Sequence, residues 1–467
     1  MRIVPATLFL LLIFSSLPAA AESLVRITQK REGLVHGTLI VPVTAGESID
    51  RVELSINGVP FGEQRGRSVV FEVPVGKYIR RLRIRAVGYD VTGAIAGEDQ
   101  MTVNDPRPPF RVLLHGPPVL PGEGLATLSA TVMAPAGTEL SGVDFFVGDR
   151  SIGHDADPPF EARFDAAAFG DPLYATATAR TADGAEAHGV HFWGTTPRAE
   201  IEVAVQQIPL SISGAASVKP VRREELRLLD NGVERPIENV LHAGELPLHV
   251  VLLIDSSESM LRELPIVKDA AKEFARRLSG PNQKIAVVGF AQGTYWLTGF
   301  TSEMEGVERA VERLRARGQT HLYDAVIEML FELQKHDGRR ALVVLTDGVN
   351  QGGHFELDHV VHYARYSGVP VYPVVQNSLL ARAIRFGIGG VQAQRFAAIA
   401  RDSGATYFIL RRPEELPRIY RAVAEELKDQ YLIVFRSEAT AVDRWHSLSL
   451  SSSRRGLTLR IPRGYFP

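Results

Sequence analysis

The character of the sequence changes near residue 247, and this change constrains the fold more than any other feature. Downstream of it, short apolar segments alternate with stretches whose apolar residues recur every three to four positions. This alternation predicts an α/β domain at residues 247–430 with a mainly parallel, doubly wound sheet. Its predicted strands are His249–Ile254, Lys284–Phe290, Arg340–Thr346, Val369–Val375 and Thr406–Leu410.

Short alternating strands upstream of this region form an internal repeat. Val52–Ile56 matches Val143–Val147 at an offset of 91 residues, and Phe61 recurs as Ile152 at the same offset. A repeat of about 90 residues built from short strands has the size of an immunoglobulin-like sandwich. We therefore predict two such β domains, joined by the stiff Pro-rich segment 105–109.

Shorter β regions flank the α/β domain on both sides. Leu226–Leu229 runs into Asn231-Gly232, a dipeptide typical of hairpin turns. After the last helix, Gln430–Phe435 predicts a closing strand, and Ser447–Leu450 with Leu457–Ile461 predicts a final hairpin. The predicted organisation is a signal peptide (1–21), two immunoglobulin-like domains (22–105 and 106–200), a small β segment (201–246), the α/β domain (247–430) and C-terminal strands packing on it (431–467).

The N-terminus predicts export to the periplasm or the medium. Met1-Arg2 supplies a positive start, Ala6–Leu17 is almost wholly apolar, and Ala19-Ala20-Ala21 fits a cleavage signal before Glu22. A transmembrane anchor is the alternative, but this apolar run has about a dozen residues where a span needs roughly 20. No later stretch is apolar enough to cross a membrane, so we expect no span after cleavage.

The composition argues against several other classes of protein. The 467-residue chain has no Cys, which rules out disulfides and thiol chemistry. Its 52 basic and 54 acidic residues give a net charge of −2, which offers no basis for a nucleic-acid partner. The motifs of common metalloproteases, α/β-hydrolases and nucleotide-binding loops are missing from the sequence.

A run of oxygen-bearing side chains follows the first strand of the α/β domain. Asp255-Ser256-Ser257-Glu258-Ser259 comes directly after the apolar segment Val250–Ile254 and before a helix. Ligands of open α/β sheets bind beyond the carboxyl ends of the strands, so the run is well placed for binding. Asp and Ser also favour helix N-caps, and capping is compatible with a binding role.

This Asp-x-Ser-x-Ser run resembles the opening of the metal-ion-dependent adhesion site (MIDAS) of von Willebrand factor A domains. Gly318–Ala325 is similar to the threonine loop of that family, and Leu345–Gly348 is similar to its second aspartate segment. The resemblance covers about residues 246–430, with the three elements in the family's order. It implies a divalent-metal site formed by Asp255, Ser257, Ser259, Thr320 and Asp347.

The resemblance also implies a function. Hydroxyl and carboxylate oxygens suit Mg²⁺, which takes about six oxygen ligands, and Mn²⁺ or Ca²⁺ are alternatives. The neutral hydroxyls leave the ion electron-poor, so that an Asp or Glu carboxylate of a partner protein can fill an open position. We therefore expect a non-enzymatic, adhesion-type protein-binding module without catalytic residues.

One residue departs from the family pattern, and two other functions stay open. Glu258 stands where the family commonly has Gly, and it either strengthens metal binding at the expense of an anionic ligand or simply faces solvent. A cell-envelope scaffold in which the metal only stabilises the fold is one alternative. A metal-assisted hydrolase with Glu258 or His321 as general base is the other.

Three further features complete the sequence-based expectations. His354, Asp358 and His362 are spaced for one helix face, which could bind Zn²⁺ or be a solvated polar face. Asp324 is expected to orient the threonine loop rather than to act as a catalytic acid. The second β repeat also resembles bacterial immunoglobulin-like modules, through its Pro158-Pro159-Phe160 turn.

The chain as a whole resembles a family of acidobacterial von Willebrand factor A-related proteins. The shared features are the segment Leu228–Val233 before the α/β domain and an ending like Leu457–Tyr465. This resemblance implies no defined activity.

Overall fold

The computed structural model describes residues 24–466 with internal gaps. The gaps are at 32, 107–109, 118–119, 122–123, 136–137, 149, 170–173, 194–203, 215–219, 243–245, 281, 337, 377–389 and 438–444. The chain divides into two compact units, Met1–Asp105 and Pro106–Pro467. The predicted signal peptide, residues 1–21, lies outside the described residues.

The first unit is a sandwich of two antiparallel sheets. Its strands are β1 (Val25–Ile27), β2 (Gly37–Ala45), β3 (Arg51–Ile56), β4 (Val59–Gln64), β5 (Ser68–Gly76), β6 (Leu82–Tyr89) and β7 (Ile95–Val103). They form the sheets β4-β3-β6-β7 and β1-β2-β5. Side chains alternate across each strand, so that Val41, Leu54, Phe71 and Ile84 share one core between the sheets.

The next seven strands repeat this architecture. They are β8 (Arg111–His115), β9 (Leu125–Met133), β10 (Leu140–Val147), β11 (Arg150–Asp155), β12 (Phe160–Asp165), β13 (Tyr174–Thr181) and β14 (Glu186–Phe192). They form the sheets β11-β10-β13-β14 and β12-β9-β8, the same strand order as in the first unit. The β-sandwich part of the fold prediction is confirmed, and the immunoglobulin-like classification remains a prediction.

The repeat extends to the pairing of individual residues. Leu54 pairs with Ala86 on one side and Gly62 on the other, and the register shifts directly after Leu54. Phe145, 91 positions later, pairs with Ala177 and Gly153, and the same register shift follows it. The two copies therefore share a β-bulge as well as a sequence pattern.

The strands on either side of the α/β domain pair with one another. β15 (Ala204–Ser213), β16 (Leu226–Asp230), β17 (Val233–Arg235) and β18 (Ile237–His242) precede it, and β25 (Tyr431–Ser437), β26 (His446–Ser452), β27 (Thr458–Arg460) and β28 (Gly464–Tyr465) follow it. They form the sheets β18-β25-β15-β27 and β17-β16-β26-β28.

The predicted final hairpin is wrong. β26 pairs with β16 and β28, whereas β27 pairs with β15, so the two expected hairpin strands belong to different sheets. The physical reason is the core that they complete: Leu448 is buried beside Leu228 and Ile208, with Leu459 packed against the same cluster. A hairpin of β26 with β27 would leave these earlier strands without that cover.

The α/β domain is a six-stranded sheet in the order β21-β20-β19-β22-β23-β24. Every pairing is parallel except that of the edge strand β21 with β20. The strands are β19 (Leu248–Asp255), β20 (Gln283–Phe290), β21 (Thr294–Thr301), β22 (Arg339–Thr346), β23 (Val371–Gln376) and β24 (Phe408–Leu410). All eight residues of β19 are buried, as expected for a central parallel strand.

Helices cover both faces of this sheet. They are α1 (Leu264–Leu278), α2 (Met304–Glu312), α3 (Leu322–Leu333), α4 (Leu357–Ser367), α5 (Gly390–Ser403) and α6 (Leu416–Lys428). Helices α1, α2 and α6 share one core with Val250, Leu252 and Ile254 of β19, while α3 packs on β19 and β22 and contacts α4. The predicted α/β fold is confirmed. Among the described helices, none combines the length and apolarity needed to cross a bilayer.

This topology positions a binding crevice. β19 continues through α1 to β20 on one side, whereas its neighbour β22 continues through α4 to β23 on the other side, so the connections from these two carboxyl ends run in opposite directions. Open α/β sheets bind ligands at such a switch point. Asp255 is the last residue of β19, and Thr346 is the last residue of β22.

Candidate metal centre

Asp255 is held in place from both sides of this crevice. Its side chain is fully buried; Oδ1 accepts a hydrogen bond from the backbone N–H of Ser257 (2.9 Å), and Oδ2 accepts one from the Thr346 hydroxyl (2.8 Å). Burial raises the pKa of Asp255; the hydrogen bonds from Ser257 and Thr346 oppose that rise, and the nearby Asp347 carboxylate adds to it. A bound dication would favour the ionised form.

The two predicted serines lie side by side just beyond this strand. Ser257 precedes a 3₁₀ turn at Glu258–Met260, and its Oγ lies 2.9 Å from Oγ of Ser259. Adjacent oxygens of an octahedron around Mg²⁺, each about 2.0–2.1 Å from the ion, are themselves about 2.9 Å apart. The two hydroxyls are hydrogen-bonded to each other, and this bond holds them close enough to act as two neighbouring ligands of such an ion.

The intervening Ser256 anchors this serine loop (residues 255–259). Its buried hydroxyl donates to the carbonyl of Phe290 (2.8 Å) and accepts a hydrogen bond from the Tyr295 hydroxyl. Its carbonyl accepts a hydrogen bond from the backbone N–H of Arg317 (2.7 Å). These bonds tie the serine loop to β20, to β21 and to the approach to the threonine loop.

Thr320 supplies the observation that most favours a bound ion. The residue is 1% exposed, and within the described part of the chain its Oγ1 is buried without a hydrogen-bond partner. A buried hydroxyl left unpaired costs about 1–3 kcal/mol, so native proteins rarely keep one without a reason. A metal ion would use this oxygen as a ligand.

Asp347 follows β22 and is half-buried. Its Oδ1 accepts a hydrogen bond from the backbone N–H of Val349 (2.9 Å), and its charge acts on Asp255 across the crevice. The structure thus places the five predicted residues on three loops at the carboxyl end of the sheet: the loop after β19, the loop between α2 and α3, and the loop after β22. Their donor set, with two carboxylates and three hydroxyls, fits a hard divalent cation.

The loop from residue 347 to 355, here called the aspartate loop, is tied to helix α3. Asp324 accepts hydrogen bonds from the backbone N–H groups of His354 (2.9 Å) and Phe355 (3.0 Å). Asp324 therefore acts as a positioning residue, although the loop that it holds is the aspartate loop and not the threonine loop that we expected.

His354, Asp358 and His362, whose spacing allowed either a zinc-binding or a solvated helix face, do not share one helix. Helix α4 begins at Leu357, so His354 precedes it, and its Nδ1 lies 2.8 Å from Oδ2 of Asp324 instead. Among the residues that the structure describes, no three His, Asp or Glu side chains are grouped to hold a metal ion. A metal centre in these residues therefore depends on hydroxyl oxygens.

Sequence reasoning missed four residues that shape the centre. Thr346 donates a hydrogen bond to Asp255, and Ser256 anchors the serine loop to β20. Asn350 and Gln351 accept hydrogen bonds from the backbone at Tyr323 and Thr320. Thr346 and Ser256 adjoin predicted ligands, so proximity in sequence was an available signal. No local pattern marks Asn350 or Gln351.

Comparison with known families agrees with this geometry. Residues 250–350 match the family model described as the von Willebrand factor type A domain. The chain contains a von Willebrand factor type A (VWA) domain. None of the curated proteins matches the chain.

Several solved structures are similar to parts of the chain. The von Willebrand factor domain of the type V pili tip protein Mfa5 from Porphyromonas gingivalis is 11% identical, with 39% of this chain and 95% of that one covered and a TM-score of 0.33. A von Willebrand factor type A protein from Catenulispora acidiphila is 14% identical, with 56% and 73% covered and a TM-score of 0.34.

A third similar structure carries a metal. Proximal thread matrix protein 1 from the mussel byssus, described with a zinc-occupied MIDAS motif, is 19% identical, with 43% of this chain and 50% of that one covered and a TM-score of 0.35. These identities and scores assign no function to this chain.

Proposed function

We propose that this chain is an exported, non-enzymatic binding protein whose VWA domain uses a Mg²⁺-dependent MIDAS to bind a carboxylate of a partner protein. The observation that carries the proposal is the buried hydroxyl of Thr320, which has no hydrogen-bond partner in the part of the chain that the structure describes. The hydroxyl pair of Ser257 and Ser259, 2.9 Å apart on the neighbouring serine loop, supports it.

Each proposed ligand has a distinct part in this function. Ser257, Ser259 and Thr320 would hold the ion with neutral oxygens, and Asp255 and Asp347 would supply negative charge. Both oxygens of Asp255 already accept hydrogen bonds from the protein, which fixes the position of its charge. An ion held largely by hydroxyls remains attractive to a further anionic oxygen, which is the part that the partner's Asp or Glu would play.

Metal binding is tested by calorimetric titration of the purified mature protein with Mg²⁺. We expect the Ser257→Ala/Ser259→Ala double variant to bind Mg²⁺ at least about 100-fold more weakly, because two ligands are lost. Ser302→Ala, at an exposed serine of the same domain, is the matched control. A double variant that binds Mg²⁺ as tightly as the unaltered protein would overturn the proposal.

Partner recognition is tested with a library of short peptides that each contain one Asp or Glu. The matched control peptides carry Asn or Gln at the same position. We expect peptide binding that needs both the carboxylate and Mg²⁺ and that EDTA abolishes. Stabilisation by Mg²⁺ without any carboxylate-dependent binding would favour the scaffold function instead.

A further inference from the structure

The threonine loop (residues 318–321) and the aspartate loop are joined by a reciprocal pair of hydrogen bonds. The backbone N–H of Thr320 donates to Oε1 of Gln351 (3.1 Å), and the backbone N–H of Gln351 donates to the carbonyl of Thr320 (2.8 Å). Gln351 therefore fixes the peptide groups on both sides of the Thr320 Cα. The Thr320 hydroxyl, carried by that Cα, is the buried oxygen without a partner in the described chain.

Two further contacts join the aspartate loop to the start of helix α3, which directly follows the threonine loop. The backbone N–H of Tyr323 donates to Oδ1 of Asn350 (3.3 Å), and Asp324 accepts from the backbone of His354. Glycine permits this close approach: a Cβ added at Gly352 would lie 2.9 Å from Nε2 of His321. Gly353 has a φ of +107°, and a Cβ there would lie 2.6 Å from Oδ1 of Asp324.

We infer that Gln351 is a positioning residue of the metal centre, which holds the Thr320 hydroxyl in place for the ion through the backbone of the threonine loop. This inference rests on the proposed metal-binding function. Gln351 itself is exposed and needs no contact with the ion. Outer residues that orient metal ligands commonly contribute a factor of about 10–100 to metal affinity.

Comparing the binding of two ions distinguishes a residue that positions a metal ligand from one that only stabilises the fold. Mg²⁺ demands near-ideal octahedral geometry, whereas Ca²⁺ accepts irregular and more distant ligands. If Gln351 positions Thr320, its loss should weaken the binding of Mg²⁺ more than that of Ca²⁺. A residue that only stabilised the fold would change both affinities by a similar factor.

The test is titration of the full mature protein with Mg²⁺ and with Ca²⁺ separately. We expect Gln351→Ala to weaken Mg²⁺ binding about tenfold and Ca²⁺ binding about threefold or less. Gln351→Glu keeps an acceptor oxygen for the Thr320 N–H and should restore the Mg²⁺ to Ca²⁺ affinity ratio. Gln319→Ala, at the exposed neighbour of Thr320, is the control and should behave as the unaltered protein.

Stability is measured in parallel, with EDTA present. Because Gln351 is exposed, its replacement by Ala should shift the unfolding temperature by no more than about 2 °C. An unchanged ion affinity in Gln351→Ala, or an equal loss for both ions, would overturn the inference alone. If the unaltered protein binds neither ion, the proposed function fails, and the inference fails with it.

Discussion

The two ends of the parallel sheet both bury polar side chains, but they accommodate them in opposite ways. The carboxyl end buries oxygens of Asp255, Ser257 and Thr320, whereas the amino end buries nitrogens of His249 and, at the start of β22, Arg339. His249 stacks on His336 with ring centroids 4.5 Å apart, and Phe300 packs edge-on against both rings.

The amino end avoids buried charge on its histidines. Burial lowers the pKa of His249 to about 3 and that of His336 to about 4, and nearby cations including Lys284 and Arg340 lower both further. Both rings are therefore neutral near pH 7. Nδ1 of His249 lacks a hydrogen-bond partner among the described residues, but its ring is stacked, and the surrounding cations oppose metal binding.

The carboxyl end of the sheet instead buries a carboxylate, that of Asp255, and a hydroxyl, that of Thr320. Asp255 receives hydrogen-bond donors on both oxygens, yet Thr320 Oγ1 has no donor or acceptor in the described chain. The difference teaches that burial of polar groups alone does not mark a binding site. Among the described residues, each end leaves a buried polar atom without a partner. Nδ1 of His249 lies among cations, whereas Oγ1 of Thr320 lies at the end of the sheet that carries the Asp255 and Asp347 carboxylates, where a cation would be attracted.

The largest expected effect comes from Asp255→Asn at the carboxyl end. Loss of the charge should weaken Mg²⁺ binding by about 100-fold or more, roughly 2.7 kcal/mol. In EDTA, the free energy of unfolding should not fall, because burial raises the pKa of Asp255 and its buried charge is therefore costly. Calorimetry and urea unfolding measure the two effects.

His249→Phe is the matched variant at the amino end of the same strand. It should leave Mg²⁺ affinity unchanged, since it lies at the opposite end of β19. Equal losses of metal affinity in the Asp255 and His249 variants would remove the distinction between the two ends.

A smaller effect is expected when the pH is lowered. His249 titrates at about 3 in the folded protein and near 6.5 when unfolded, so unfolding takes up a proton between these values. Its contribution to stability is complete above about pH 6.5 and is lost as the pH falls toward 3. From pH 6.5 to 4.5, we expect a loss of about 2 kcal/mol from this residue.

Urea unfolding in EDTA, followed by helical circular dichroism, measures this loss. His249→Phe keeps the ring stack but cannot titrate. Between pH 6.5 and 4.5 this variant should therefore lose about 2 kcal/mol less stability than the unaltered protein. The exposed His115→Phe is the control, with unaltered pH dependence expected. A His249→Phe variant that loses as much stability as the unaltered protein would contradict the neutral-histidine account.

The smallest expected effect concerns a single atom at the carboxyl end of the sheet, Oγ1 of Thr320. Thr320→Val removes, with little change in shape, the hydroxyl that has no partner among the described residues, so Mg²⁺ affinity should fall about tenfold, roughly 1.4 kcal/mol. Stability in EDTA should rise by about 1 kcal/mol, because a buried oxygen without a partner is removed.

Thr346→Val provides the contrast for this prediction. Its equally buried hydroxyl donates to Asp255, so the same change should lower stability in EDTA by about 1 kcal/mol. If both threonine variants lost stability alike, the Thr320 hydroxyl would have a partner after all, and the argument for a metal ligand would weaken.

The sequence by itself determined the features that depend on neighbouring residues. The predicted strand His249–Ile254 differs from the observed strand Leu248–Asp255 by one residue at each end, because the apolar run is local. The β repeat and the Asp-x-Ser-x-Ser run could also be recognised from the sequence, because each consists of short local patterns. Resemblance to a family added Thr320 and Asp347, which no local pattern connects to that run.

Only the tertiary structure decided the contacts between distant segments. His446–Ser452 pairs with Leu226–Asp230 rather than with its sequence neighbour, because a shared core outweighs a short connection. Likewise, Gln351 lies against Thr320 because the loop after β22 and the loop between α2 and α3 meet at the carboxyl end of the sheet. The spacing of apolar residues in a sequence indicates whether one segment is a helix or a strand. These contacts depend instead on where two distant segments meet in the folded protein.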